Sequence, residues 1–209
     1  EILGYFKSGK FKIAEKETVI LIKKFPNNYF LLNLFGAILA AQKKLDEAII
    51  YYEKSIKISP NYADAYNNLA GTLAEQKKYG KAIEYFKKAI KINPNLSESY
   101  YNLGNALSEI KRYDESIKNY NQAIKIKPNY LKAYNNLGNI FRALNNIQNA
   151  ISCYEKIIEI DGNHIDANKN LAILYSDVGK VQNARKCFQK LFRLKPDNVL
   201  YKINNALLL

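Results

Sequence analysis

The sequence predicts an all-α solenoid built from 34-residue helix–turn–helix repeats. Proline recurs with a spacing of 34 residues, at Pro26, Pro60, Pro94, Pro128 and Pro196. Glycine stands at the one position of this series that lacks proline, Gly162. A fixed period of about 20–50 residues indicates stacked repeats, each too small to bury its own apolar face. Small and aromatic residues recur at the same period, with no insertion or deletion. We therefore expect the function to lie in the surface that the stack presents.

The 34-residue period divides most of the sequence into five full repeats. They are residues 29–62, 63–96, 97–130, 131–164 and 165–198. Partial repeats at 1–28 and 199–209 complete a single array over residues 1–209. Because the chain lacks Met and ends in Leu-Leu-Leu, where a solenoid needs a polar cap, we expect a fragment of a longer protein. Ends of this kind would also allow two copies to associate end to end.

Each repeat is predicted to contain two helices. Apolar residues at helical spacing predict helices near 63–76 and 79–92, and the same pattern recurs in the other repeats. The polar pair Lys77-Lys78 separates the two helices. Pro94 ends the second helix, because proline cannot continue the hydrogen-bond ladder and restricts the residue before it.

The repeat pattern resembles the tetratricopeptide repeat family over essentially the whole chain. One repeat carries the family residues as Tyr100, Leu103, Gly104, Leu107, Ser116, Tyr120, Ala123 and Pro128. The resemblance implies a right-handed superhelix whose first helices line a concave groove. Ile157 and Leu191 replace the second alanine of the pattern, and we expect them to loosen or shift helix packing near residues 155–195.

A column of asparagines falls where the family places groove residues. Its members are Asn68, Asn102, Asn136, Asn170 and Asn204. Helix propensity does not explain the column, because asparagine is a mediocre helix former. Each amide offers a donor and an acceptor, so the row is suited to binding the backbone of an extended peptide. The alternative is a structural role, in which each amide bonds to the neighbouring repeat.

Further groove positions are predicted to contact a ligand. Tyr101 is placed to stack on a ligand, and Lys132 and Arg142 are local anion contacts. The polar strip is widened by Asn67, Asn105, Asn135 and Asn139. The asparagine row also resembles the ladder in the repeat arm of O-linked N-acetylglucosamine transferases, where such a ladder contacts substrate peptide. Lys132 and Arg142 more weakly resemble the carboxylate clamp of co-chaperones, which holds the C-terminus of a peptide. Glu98 and Glu109 in the preceding repeat would repel such a carboxylate and disfavour this interpretation.

The predicted groove is acidic although the chain carries a formal net charge of +13. Its charged positions are Asp64, Glu75, Glu98, Glu109, Asp166 and Asp177 against Lys132, Arg142 and Lys169. A groove that follows nucleic-acid phosphates is basic, so we expect no nucleic acid there. The lysines of the second helices and turns are interpreted as a solvated surface, with binding of nucleic acid or anionic lipid to that outer face as the alternative.

No residue pattern predicts catalysis, a cofactor or a metal site. The glycines are scattered singly, so no phosphate-cradling loop is present, and the only histidine, His164, falls at a turn. Cys153 and Cys187 occupy the same place in adjacent repeats, farther apart than the roughly 7 Å between Cα atoms that a disulfide allows. We expect free thiols and a reducing compartment, the cytoplasm. No stretch approaches the roughly 18 apolar residues of a membrane span.

Two functional classes follow. The first is a non-catalytic protein–protein interaction scaffold that binds an extended peptide or a partner's helix in the groove. The second is the substrate-recruiting arm of a larger, glycosyltransferase-like enzyme whose catalytic domain is absent from this chain. Sequence beyond Leu209 would distinguish them, since further repeats favour the scaffold and alternating strands and helices favour the enzyme.

Overall fold

The structure, a computed structural model, describes residues 1–198 and is helical apart from short turns. The predicted all-α solenoid of helix pairs is confirmed over this range. The partial repeat 199–209, which contains Asn204, lies outside the described residues. Within them the helices are α1 (Ile2–Lys7), α2 (Phe11–Lys24), α3 (Tyr29–Ala41), α4 (Leu45–Ile58), α5 (Ala63–Glu75), α6 (Tyr79–Ile92), α7 (Ser97–Glu109), α8 (Tyr113–Ile126), α9 (Leu131–Ala143), α10 (Ile147–Ile160), α11 (Ile165–Asp177) and α12 (Val181–Leu194).

The chain divides into two compact units, Glu1–Asn119 and Tyr120–Leu209, with the division inside α8. In the first unit α3 packs on α4 and α5 on α6, and consecutive pairs meet through α4 with α5 and α6 with α7. The first helices also touch directly, α3 with α5 and α5 with α7. In the second unit α9 packs on α10, α10 on α11, and α11 on α12. That residues 1–209 form one continuous array stays a prediction.

A residue in the left-handed conformation follows the first helix of each pair. These residues, with φ between 56° and 74°, are Gly9, Lys43, Lys77, Lys111, Asn145 and Gly179. The backbone N–H of the residue after each of them donates a hydrogen bond to a carbonyl of the preceding helix. For example, the Lys78 amide donates to the Leu73 carbonyl over 2.9 Å. This is the hydrogen-bond pattern of a glycine C-cap, here formed mostly by lysine and asparagine. It turns the chain into the second helix within three residues.

The second helices end two residues before the repeating proline. α6 ends at Ile92 before Pro94, and α4 ends at Ile58 before Pro60. The predicted helices near 63–76 and 79–92 are present as α5 and α6. Proline, which cannot donate a backbone N–H, therefore follows the second helix of every pair except the one that contains α10, where Gly162 takes its place.

Aromatic rings and small residues build the interior of each helix pair. A Cβ added at Gly36 would lie 2.6 Å from Cε1 of Tyr52, and one at Gly138 would lie 2.9 Å from Cζ of Tyr154. Both rings are buried, so these positions tolerate no side chain beyond hydrogen without movement. Ile157 and Leu191, which depart from the repeat pattern, are fully buried in the core of the second unit.

Candidate functional site

The first helices of the first unit are joined by amide hydrogen bonds. Asn68 Nδ2 donates to Asn33 Oδ1 over 3.0 Å, and Asn102 Nδ2 donates to Asn67 Oδ1 over 3.3 Å. In both pairs the donor follows its acceptor by 35 residues, so each bond joins a repeat to the one before it. Members of the predicted asparagine column thus contribute to packing between repeats, through a partner column one residue earlier in the repeat.

The accepting asparagines, Asn33 and Asn67, are buried and form further hydrogen bonds within the protein. Asn67 Oδ1 also accepts from Ser99 Oγ at 3.0 Å, and Asn33 Nδ2 donates to Tyr62 Oη at 3.5 Å. Burial raises the pKa of Tyr62 to about 12, so its hydroxyl keeps its proton at neutral pH. Asn68 and Asn102, in contrast, are only half-buried. Each of their amides has a second N–H and carbonyl lone pairs beyond the bond that ties it to the preceding repeat.

A pocket of about 410 Å³ lies beside this row, lined by residues of α5, α6 and α7. Its lining includes the buried ring of Phe86 and the backbone of Gly71, which has no side chain. Two carboxylates belong to the lining, Glu75 and Glu109. Tyr79 Oη donates to Glu109 Oε2 over 3.2 Å. We call this cavity the Phe86 pocket.

In the second unit the corresponding amides bond to tyrosine hydroxyls. Tyr154 Oη donates to Asn139 Oδ1 over 2.6 Å, and Asn136 Nδ2 donates to Tyr120 Oη over 3.5 Å. Asn135 Nδ2 in turn lies 3.5 Å from Asn136 Oδ1. Burial raises the pKa of Tyr154 to about 12, so this hydroxyl remains a donor at neutral pH. These contacts hold the amides of α9 in fixed orientations.

Arg142 and Asn170 come together on the second unit. Arg142 Nη1 donates to Asn170 Oδ1 over 3.4 Å, which links α9 to α11. Arg142 is exposed, and its remaining N–H groups can reach solvent or a ligand. Lys132 lies ten residues earlier on the same helix, about 15 Å along its axis, so the two predicted anion contacts do not form one cluster.

Four tetratricopeptide repeat models match five stretches of the sequence. One matches residues 30–95, a second 104–141, a third 131–164, and a fourth both 85–118 and 153–186. Together they cover residues 30–186 without a gap. The chain belongs to the tetratricopeptide repeat family.

Solved tetratricopeptide repeat structures share the fold. MamA is 28% identical, with 79% of this chain and 97% of MamA covered and a TM-score of 0.71. YrrB, described as a tetratricopeptide repeat protein with an unusual peptide-binding site, is 20% identical, with 90% and 97% covered and a TM-score of 0.69. PilF of Pseudomonas aeruginosa is 18% identical, with 98% and 93% covered and a TM-score of 0.81. No curated protein sequence matches significantly.

The tetratricopeptide repeat fold is that of a protein–protein interaction scaffold. Of the remaining predicted contact residues, Asn105 lines the Phe86 pocket and Tyr101 lies half-buried on α7. Asn204 lies outside the described residues. Over residues 1–198, none of the helices is both long and apolar enough to cross a membrane.

Sequence reasoning placed Asn67 only in the polar strip, and it missed Asn33, Ser99 and the pocket. Asn33 and Ser99 were not singled out, although an asparagine one residue before the main column at Asn33 and Asn67 signals a paired arrangement. The pocket follows from a combination that only one full repeat has, glycine at 71 with phenylalanine at 86. To recognise either feature, one must compare two positions of the repeat together across all the repeats.

Proposed function

We propose that this chain is a non-catalytic protein-interaction module that binds an extended peptide along the amides of its first helices. The observation that carries the proposal is the placement of Asn68 and Asn102. Each is fixed by a bond to the preceding repeat, yet each is half-buried and has hydrogen-bonding capacity beyond that bond. Fixed polar groups at a surface lose little conformational entropy when they bind a ligand.

The spacing of the amides suits a peptide backbone. Neighbouring packed helices lie about 8–10 Å apart, and an extended chain advances about 3.3 Å per residue. One amide per repeat would therefore meet the peptide backbone about every third residue. Contacts of this kind recognise backbone rather than side chains, so side-chain selectivity must come from neighbouring groups. The peptide-binding site named for YrrB supports this use of the fold.

Arg142 and Asn170 form the proposed contact on the second unit. The exposed guanidinium bonds to the Asn170 amide and retains donors for an acidic side chain or a carboxylate of the ligand. Arg142→Glu should weaken such a ligand, whereas Lys132→Glu, about 15 Å away on the same helix, should have a smaller effect. Equal effects of the two changes would contradict this placement.

The decisive experiment compares two pairs of asparagine variants against a library of random peptides. Asn68→Ala with Asn102→Ala removes the half-buried amides. Asn33→Ala with Asn67→Ala breaks the same inter-repeat bonds from the buried side, where the residues are 7% and 6% exposed and out of reach of a ligand. We expect the first pair to abolish peptide capture. The second pair should only weaken it, because the amides of Asn68 and Asn102 lose their anchors but remain present, in protein that is still folded by circular dichroism.

If both pairs lose capture equally, or if the unchanged chain captures no peptide, the asparagines serve packing alone and the proposal fails. A recruiting arm of a larger transferase would use the same contacts. Flanking sequence rather than peptide binding distinguishes that alternative from a scaffold.

A further inference from the structure

The Phe86 pocket is created by two small differences within one repeat. In repeat 131–164 the tyrosine at the equivalent of Phe86 is Tyr154, and its hydroxyl donates to Asn139 over 2.6 Å. In repeat 63–96 phenylalanine replaces that tyrosine, and Gly71 replaces that asparagine. Both groups that occupy this place in repeat 131–164 are therefore missing in repeat 63–96, beside which a cavity of about 410 Å³ lies.

Packing does not require the glycine at position 71. A Cβ placed there would have no heavy atom within 4 Å, unlike one at Gly36 or Gly138. Glycine inside a helix costs about 1 kcal/mol relative to alanine. A destabilising residue without a packing reason thus borders a cavity at the interaction surface. Its effect is to keep that cavity open.

The polar lining of the pocket is suited to a cation. Glu109 accepts from Tyr79 Oη and keeps its second carboxylate oxygen, while Glu75 accepts from Lys43 Nζ over 2.6 Å. The Lys43–Glu75 pair is largely exposed, and such pairs are weak enough to rearrange around an incoming cation. Lys77 also lines the pocket but is exposed, so its long side chain can turn towards solvent.

We propose that the Phe86 pocket is a specificity subsite for a basic side chain, preferably arginine, of a peptide bound along Asn68 and Asn102. This inference rests on the proposed function and deepens it. The volume is at the small end of the roughly 300–1,000 Å³ of ligand pockets and suits one long side chain. The apolar part of the lining accepts the stem of the side chain, and the two carboxylates receive the N–H groups of its planar guanidinium.

The net charge of the chain makes this selectivity unusual. At +13, long-range attraction favours acidic peptides over basic ones. A preference for arginine must therefore come from a local site, and the pocket combines two carboxylates with an aromatic ring. The preference is also confined to one position of the peptide, since the pocket occurs beside one repeat of the first unit.

The test uses three fluorescein-labelled libraries of random 12-residue peptides, with arginine, norleucine or glutamate fixed at the centre. Fluorescence anisotropy should show the arginine library binding about tenfold more tightly than the other two, which is the gain expected from one charge-assisted hydrogen-bonded contact. Gly71→Leu fills the pocket and should remove this preference. Glu75→Gln with Glu109→Gln should remove it while leaving the cavity in place.

Gly80→Leu is the matched control. Gly80 lies exposed on α6, a Cβ there also meets no atom within 4 Å, and the residue does not line the pocket. This variant should keep the arginine preference. If the three libraries bind the unchanged chain equally, or if norleucine equals arginine, the basic subsite is overturned while peptide binding stands. If none of them binds, the subsite and the proposed function are both overturned.

Discussion

Asn102 donates an amide N–H to Oδ1 of Asn67, 3.3 Å away on the first helix of the preceding repeat. The same bond recurs one repeat earlier between Asn68 and Asn33. The asparagine column therefore stabilises the stack whether or not it binds a ligand. The two roles are separable, because the donors are half-buried and the acceptors are buried.

Removing a buried acceptor should cost more than removing a half-buried donor. Asn67→Ala leaves Ser99 Oγ, in a fully buried residue, and Asn102 Nδ2 without their partner. We expect a loss of about 2 kcal/mol in the free energy of unfolding measured by urea titration. Asn68→Ala should cost about 1 kcal/mol, since water can replace its partner. Asn121→Ala, an exposed site on α8, is the control and should change little.

The two cysteines should be unreactive in the folded protein. Both are free thiols, and burial raises the pKa of Cys153 to about 12 and that of Cys187 to about 11. Since the thiolate is the reactive form, labelling by Ellman's reagent at pH 8 should be slow, and slower at Cys153 than at Cys187. In 8 M urea both thiols should react at the rate of an ordinary cysteine. Fast labelling of Cys153 in the native state would contradict its burial.

Sequence periodicity predicted the helices, because the constraints that set them are local. Pro94 ends α6, the pair Lys77-Lys78 lies in the turn, and apolar spacing marks the helix faces. For the candidate site, the sequence predicted only which equivalent positions of the repeats contribute residues. Whether Asn68 faces a ligand or the preceding repeat depends on its distance in space from Asn33, which lies 35 residues earlier. The sequence alone does not give that distance in space. The Phe86 pocket lies where smaller side chains replace larger ones, and the periodicity of the sequence does not by itself reveal an empty space.

An ion pair between α2 and the turn that joins α3 to α4 should make the stability of the protein depend on pH in the acid range. Lys44 Nζ and Gln42 Nε2 both bond to the Glu15 carboxylate, at 2.9 and 2.8 Å. The Lys44 hydrogen bond, followed by that of Gln42, holds the pKa of Glu15 below its usual value of 4.5. A lowered folded-state pKa stabilises the protein above pH 4.5, and this contribution is lost as pH falls further.

Glu15→Gln should therefore lower the unfolding free energy at pH 7 by about 0.5 kcal/mol, as partly exposed pairs do. The difference from the unchanged chain should shrink as pH falls below about 4.5, where Glu15 becomes protonated. Thermal denaturation from pH 3 to 7 measures it. Glu17→Gln, an exposed carboxylate on the same helix, serves as control. A difference that stays constant over this range would exclude the pair as its source.

Glycine and the aromatic ring opposite it vary together among the repeats. Glycine accompanies tyrosine and alanine accompanies phenylalanine, as in Gly36 with Tyr52, Gly138 with Tyr154, Ala70 with Phe86, and Ala172 with Phe188. The hydroxyl of Tyr154 is held by Asn139, so its buried ring cannot withdraw from the backbone of α9. A phenylalanine ring lacks that tether and can leave room for one methyl group.

Gly138→Ala should therefore destabilise the protein although alanine is the better helix former. The new Cβ would lie 2.9 Å from Cζ of Tyr154, and overpacking of this kind costs about 1–3 kcal/mol. Gly71→Ala, whose Cβ meets no atom within 4 Å, should instead stabilise by up to about 1 kcal/mol. Adding Tyr154→Phe to Gly138→Ala should recover part of the loss. In a double-mutant cycle by urea unfolding, additive effects of the two changes would show that the hydroxyl tether does not hold the ring against the glycine.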